Sequence, residues 1–155
     1  MEMLWVILTA MAPVLELRGA IPLGVALGLE PWPTFALAVL GNLTIVPPLL
    51  WGLPWLVRRL EDWPPFARAW GWLEARVRLK GEARVQRYGA LGLLLFVGIP
   101  LPGTGAWTGA VLAVVLGVAP RYAFPAIALG VVLAGVLVTL ATTGVLVGLR
   151  YWVGG

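Results

Sequence analysis

Charge is absent from two long stretches of the chain and interrupts two others, and this alternation predicts the elements. Residues 33–57 and 122–149 carry no Asp, Glu, Lys or Arg. These runs of about 25 and about 28 residues exceed the ~20 needed to cross a ~30 Å hydrocarbon core, so each predicts a transmembrane helix. The other two apolar regions are broken. Met3 to Leu15 is followed by Glu16-Leu17-Arg18-Gly19 and then by Ala20 to Leu29, with the interruption placed at the charges. Tyr88 to Ile99 ends at Pro100-Leu101-Pro102-Gly103-Thr104-Gly105 and resumes from Ala106 to Val118. Neither half of either region is long enough to cross alone. Each region is therefore one kinked span or a re-entrant hairpin with its tip near mid-membrane, and hydropathy alone does not separate the two.

Internal similarity favours the hairpins. Pro31-Trp32-Pro33-Thr34-Phe35-Ala36-Leu37-Ala38-Val39-Leu40-Gly41 recurs loosely as Pro120-Arg121-Tyr122-Ala123-Phe124-Pro125-Ala126-Ile127-Ala128-Leu129-Gly130. Gly19-Ala20 pairs with Gly109-Ala110, and Leu27-Gly28 with Leu116-Gly117. The expected fold is an all-α integral membrane protein, a single membrane domain over 1–155. Repeat 1 (1–57) holds a broken region at 3–29 and a span at 33–57. Repeat 2 (88–150) holds a broken region at 88–118 and a span at 122–149. A hairpin plus one span crosses an odd number of times, so the copies are expected to be inverted, as in many transporters. Four full spans are the alternative; with the linker inside, that arrangement puts both termini inside rather than outside.

Residues 58–87 form the expected linker. Phe66, Trp70, Leu73 and Val77 recur at helical spacing, with Arg68, Arg76 and Arg78 off the stripe, and Pro64-Pro65 is a plausible helix start. This reads as an amphipathic helix on the inner membrane surface, tryptophans at headgroup depth, anchoring the chain. Recruitment of substrate by its arginines is the alternative role.

Composition agrees with lipid as the solvent. Hydrophobic residues make up 61% of the 155 and charged residues 12%, roughly half the charge of a soluble domain; mean hydropathy is +0.95. Of 11 basic residues, Arg58, Arg59, Arg68, Arg76, Arg78, Lys80, Arg84 and Arg87 lie in or beside the linker. Basic clustering between apolar blocks is a positive-inside signal, placing the linker in the cytoplasm and the chain in the cytoplasmic membrane. It argues against nucleic acid as the partner. Cys and His are absent, which removes thiol nucleophiles, imidazole bases and the usual metal ligands; no cofactor or metal is expected. The start, Met1-Glu2-Met3-Leu4, lacks the marks of a signal peptide, so residue 1 is expected to be the mature start.

Candidate chemistry concentrates at the breaks. Glu16 and Arg18 lie inside an apolar block, where an ionised side chain costs at least about 2.5–3.5 kcal/mol. On a regular helix they point about 200° apart and cannot pair; at a hairpin tip they can converge on one polar cavity. A carboxylate secluded there can exchange a proton near neutral pH, as proton coupling requires. The alternative is that both side chains satisfy backbone groups at the tip or reach outward. Pro100, Pro102 and Gly103 free backbone groups before a half-helix starting near Thr104, whose amides suit an anion such as phosphate, with Thr104 and Thr108 adding hydroxyls one turn apart. A simple packing break explains the motif equally well. Gly24/Gly28, Gly105/Gly109 and Gly144/Gly148 have close-packing spacing. Asn42, within the first span beside Thr44, is expected to face the protein interior, as a packing bond or a pathway lining. Glu30 is expected at the interface. No enzyme pattern stands out: Glu16 is the single acid placed at mid-membrane, and Gly103-Thr104-Gly105 lacks the Lys and strand of a phosphate loop.

Glu16-Leu17-Arg18-Gly19-Ala20-Ile21-Pro22-Leu23-Gly24 and Phe96-Val97-Gly98-Ile99-Pro100-Leu101-Pro102-Gly103-Thr104-Gly105 resemble the small multidrug export family of bacterial and archaeal membrane proteins, over nearly the whole chain. That family is similar in architecture to the DedA group, with its inverted repeats of a re-entrant helix plus a span and its association with lipid-phosphate movement and membrane homeostasis. The second motif carries no basic residue, leaving Arg18 alone placed to hold an anion. The resemblance and the residues together lead to an expected small secondary transporter, proton-coupled through Glu16, with Arg18 binding an anionic substrate or holding Glu16. A DedA-like lipid-phosphate flippase or scramblase is the alternative within transport; a non-transporting scaffold that uses the linker helix as its interaction surface is the alternative outside it. Membrane lipids, a small-molecule or lipid substrate and a second copy in a homodimer are the expected partners.

Overall fold

The computed structural model describes residues 1–154, and every regular element in them is helical. In chain order these are α1 (Glu2–Met11), α2 (Glu16–Ala26), α3 (Pro31–Pro47), a π-helical turn (Pro48–Gly52), α4 (Leu53–Leu60), α5 (Pro64–Tyr88), α6 (Ala90–Gly98), α7 (Ala106–Val115) and α8 (Pro120–Val153). Two rods are long and apolar enough to cross a membrane: Pro31–Leu60, 30 residues, and Pro120–Val153, 34 residues. At ~1.5 Å per residue they measure roughly 45 and 51 Å. Pro47 and Pro48 lack amide hydrogens, and the wide turn that follows lets the first rod continue through them instead of breaking. The short helices α1, α2, α6 and α7 have 10, 11, 9 and 10 residues. Each reaches only roughly half the thickness of a bilayer core.

The first break lies earlier than the charge pattern places it. Glu16, Leu17, Arg18 and Gly19 form the first turn of α2, and the chain leaves helical geometry at Ala12, which is extended at φ −71° and ψ 138°. The cause is Pro13, which disfavours helix at the residue before it and donates no hydrogen bond. A charged interruption is thus distinct from a backbone interruption. The second break, Ile99 to Gly105, falls at its proline–glycine motif as expected.

Short, short and long helices follow one another twice, with α3 and α8 starting 89 residues apart (120 − 31). The joints match in detail. Gly28 (φ +91°) and Gly117 (φ +70°) take the left-handed conformation that closes α2 and α7. In both, the next amide reaches back to a carbonyl of the last turn: Leu29 to Gly24 at 3.0 Å, Val118 to Ala113 at 2.8 Å. Pro31 and Pro120 then open the long helices. α1 packs on α3, and α6 on α8, where Gly41 and Gly130 let the neighbouring backbone approach. A Cβ on Gly41 would stand 2.9 Å from the Ile7 carbonyl, and one on Gly130 2.8 Å from that of Leu94. The units also cross over: α2 packs on α8, and α7 on α3. Leu17, Ile21, Phe96, Leu112 and Ile127 fill the shared core. Leu4, Trp5, Leu8, Leu129, Leu140 and Val147 stay exposed, a surface that water disfavours and lipid accepts.

The stripe on α5 is occupied by protein. Phe66, Trp70 and Leu73 are half-buried, and Val77, Gly81 and Val85 continue the face fully buried against α6 and α7. Its helical pattern is the expected one; its partner is the bundle. Arg78 sits between Glu74 (3.1 Å) and Glu82 (2.8 Å), and the hydrogen bond to Glu74 holds its guanidinium above the ordinary value. It also donates to the Val115 carbonyl at 3.4 Å, at the C-terminus of α7, where a cation is favoured.

Candidate functional site

Glu16 opens α2 at φ +49°, the only described residue other than glycine in the left-handed region. Such a conformation costs about 1–3 kcal/mol and persists only where surroundings enforce it. Here they do. The side chain is 5% exposed, and its two oxygens accept the amides of Ala106 (3.3 Å) and Trp107 (3.1 Å). Those amides begin α7 and have no acceptor within their own helix. Gly105, at the N-cap, offers no side chain to cap them, and a Cβ there would collide with the Glu16 carboxylate. The first break therefore supplies the anion that the second lacks, placed where the helix dipole favours it.

Arg18, two residues further along α2, grips the same loop. Its Nη1 donates to the Leu101 carbonyl and its Nη2 to the Thr104 carbonyl and to Thr104 Oγ1, the last at 3.2 Å. Thr104 is 6% exposed, and its hydroxyl lies 3.0 Å from the Ile99 carbonyl and 2.8 Å from that of Leu101. Arg18 Nε is buried without a partner. In the reverse direction, the Trp107 indole N–H donates to the Met11 carbonyl at 3.0 Å, satisfying the end of α1. Each break thus meets the backbone needs of the other. Glu16 and Arg18 form no ion pair within 4.0 Å among the described residues. They converge on one loop instead of on each other.

The remaining candidates divide. Pro100, Pro102 and Gly103 lie on the exposed rim of the loop. Thr108 is half-buried, one turn into α7, and makes no side-chain hydrogen bond among the described residues. Asn42 is 1% exposed on α3, and its Oδ1 has no partner, so the packing bond that was one of its two expected roles is not made at that atom. Trp107 was not among the candidates: its indole is read as an apolar residue until the fold brings it to Met11. Beside the loop, Pro100 joins Pro22, Val25, Val138 and Ala141 around an open apolar groove of about 540 Å³ between α2 and α8. No group of three acidic side chains that could hold a metal occurs among the described residues.

Comparison with protein families identifies the chain as a member of the family described as "Putative small multi-drug export protein", whose model matches residues 16–137. That stretch begins at Glu16 and includes the whole of the second break. Comparisons with curated proteins and with solved structures found no match.

Proposed function

We propose that this member of the small multidrug export family is a proton-coupled secondary transporter of a small or amphipathic anionic substrate, and that Glu16 is its coupling residue. The observation that carries the reading is the Glu16 carboxylate on the first two amides of α7. That carboxylate and a substrate anion compete for the same donors. Protonation of Glu16 withdraws its charge from the helix start and leaves the amides, with Arg18 beside them, for the substrate. Proton and anion then bind together, and release of the proton returns Glu16 to α7 and expels the anion. Because the two breaks hold each other through these bonds, occupancy of the site is linked to the fit of one unit against the other, as alternating access demands.

In this reading the two units are inverted, each a re-entrant pair (α1–α2, α6–α7) followed by a span, in the cytoplasmic membrane with α5 on the cytoplasmic side. Short helices that fold back beside a long one support it, as does the basic linker. The protein works as a homodimer through the second half of α8, whose residues from Gly144 to Val153 are exposed. A specific observation favours a second reading, a DedA-like lipid-phosphate flippase: the apolar groove that ends at Pro100 suits an acyl chain whose headgroup meets the loop.

Proton-driven uptake in proteoliposomes tests the proposal. Wild type should acidify or alkalinise the lumen in step with substrate flux, and Glu16→Gln should abolish that coupling. Absence of flux in both proteins, with normal folding, would leave a scaffold.

A further inference from the structure

We infer that Lys80, on the linker helix α5, is the second cation of this site, and that Lys80 and Arg18 together form a receptor for a phosphate-type anion across the Ile99–Thr104 loop. The inference rests on the transport reading for the position of the site, though not for its chemistry. Gly103 has φ +74°, and a Cβ built on it would collide with the Lys80 ammonium. The ammonium therefore lies against the loop backbone at the point where the chain carries no side chain. Arg18 holds the same loop through the Leu101 and Thr104 carbonyls. Two cations from elements 62 residues apart in sequence (80 − 18) thus flank one exposed bend.

Among the described residues nothing neutralises Lys80. It makes no hydrogen bond or ion pair among the described residues, and the nearby acids of α5, Glu74 and Glu82, are both engaged by Arg78. Glu16 is taken up by the α7 amides. Arg18 retains Nε without a partner. The local balance is two cations against one committed carboxylate, beside a rim formed by Pro100, Leu101, Pro102 and Gly103 that is open to approach. A phosphate monoester, with a charge of about −1.5 to −2 near neutral pH, complements that surplus, and its several oxygens serve a guanidinium and a rotatable ammonium at once. This also gives α5 a role beyond anchoring.

Calorimetric titration of the purified protein in neutral detergent provides the test, with inorganic phosphate, dihexanoyl phosphatidate and dihexanoyl phosphatidylcholine as probes. Phosphatidate should bind wild type and phosphatidylcholine should not. Lys80→Gln should weaken binding about tenfold with an unchanged melting temperature, while Lys80→Arg stays within about threefold, because an exposed charge-assisted contact is at stake. Binding of inorganic phosphate as well identifies a free anion site; binding of phosphatidate alone identifies a lipid headgroup. Equal affinity in Lys80→Gln, equal binding of phosphatidylcholine, or no binding of either phosphate probe overturns the inference. An unchanged Lys80→Gln affinity beside a Glu16→Gln protein that has lost uptake removes the receptor and leaves the transporter. Lys80-dependent binding in a protein without flux does the reverse.

Discussion

The two breaks solve one problem in opposite ways. The first, Ala12 to Leu15, is four residues long and closes most of its own backbone: Ala12 donates to Thr9, Glu16 to Ala12 and Gly19 to Leu15. The charged side chains of the α2 turn that follows it, Glu16 and Arg18, are left free to work elsewhere. The second, Ile99 to Gly105, contains Pro100 and Pro102, has no charge, and closes itself locally only through Leu101 to Ile99, Thr104 to Leu101 and the Thr104 hydroxyl on the Ile99 and Leu101 carbonyls. In a bilayer, irregular backbone persists only where protein or trapped water satisfies it. One break therefore provides charged side chains and the other provides backbone, and neither is stable without its counterpart. The energetic unit is the pair, which is why substitutions in the two breaks should not behave independently.

The largest effect is expected at Gly105, because its absent side chain is the space occupied by the Glu16 carboxylate. Gly105→Ala should cost about 4 kcal/mol, from overpacking together with loss of the α7 cap. Glu16→Ala removes the obstacle as well as the cap, so Gly105→Ala added to Glu16→Ala should cost far less than it does alone. Thermal unfolding in detergent gives the four corners of that cycle, and additivity would mean the two breaks do not interlock. Arg18→Met comes next, at about 3 kcal/mol, since it strands the Thr104 carbonyl and takes one donor from that of Leu101. Arg18→Lys should recover only part of this, because an ammonium cannot span both acceptors as the guanidinium fork does.

Much of this arrangement is legible in the sequence, and the exceptions have physical causes. Two charge-free runs mark α3 and α8, and the Pro100–Gly105 motif marks its own break, because prolines state their effect on backbone directly. Pro13 states the same effect but sits inside an apolar run, where the neighbouring Glu16 and Arg18 draw the eye; hydropathy registers charge and not the loss of an amide. The partnership of Glu16 with Ala106 and Trp107 joins residues 90 and 91 apart, and backbone amides have no sequence signature. Lys80 is hidden for the same reason. It belongs to the site only because α5 folds against α6 and α7.

Smaller effects sharpen the division of labour. Glu16→Gln keeps an acceptor at the start of α7 while removing its charge, so it should cost about 1–2 kcal/mol in stability and yet abolish proton coupling. A stability loss as large as that of Glu16→Ala would show that shape, not charge, fills the cap. Trp107→Phe deletes the donor to the Met11 carbonyl and should cost about 1 kcal/mol. Unfolding midpoints with and without Glu16→Gln would show whether these bonds, running in opposite directions between the breaks, reinforce each other.

The smallest expected change has the opposite sign and tests the comparison at the level of the long helices. Asn42 on α3 corresponds, at the 89-residue offset, to Val131 on α8, which is completely buried. One long helix thus has an apolar side chain where the other has an amide whose Oδ1 finds no partner. An unpaired buried acceptor costs about 1–3 kcal/mol, whereas valine and asparagine have nearly the same helix propensity. Asn42→Val, which makes the two long helices alike at this position, should therefore raise stability by about 1 kcal/mol while slowing uptake in proteoliposomes. A gain in both would assign the amide no part in transport. Destabilisation would mean that Oδ1 is satisfied in the bilayer by a group that binds there, and the asymmetry between the two long helices would then belong to the pathway itself.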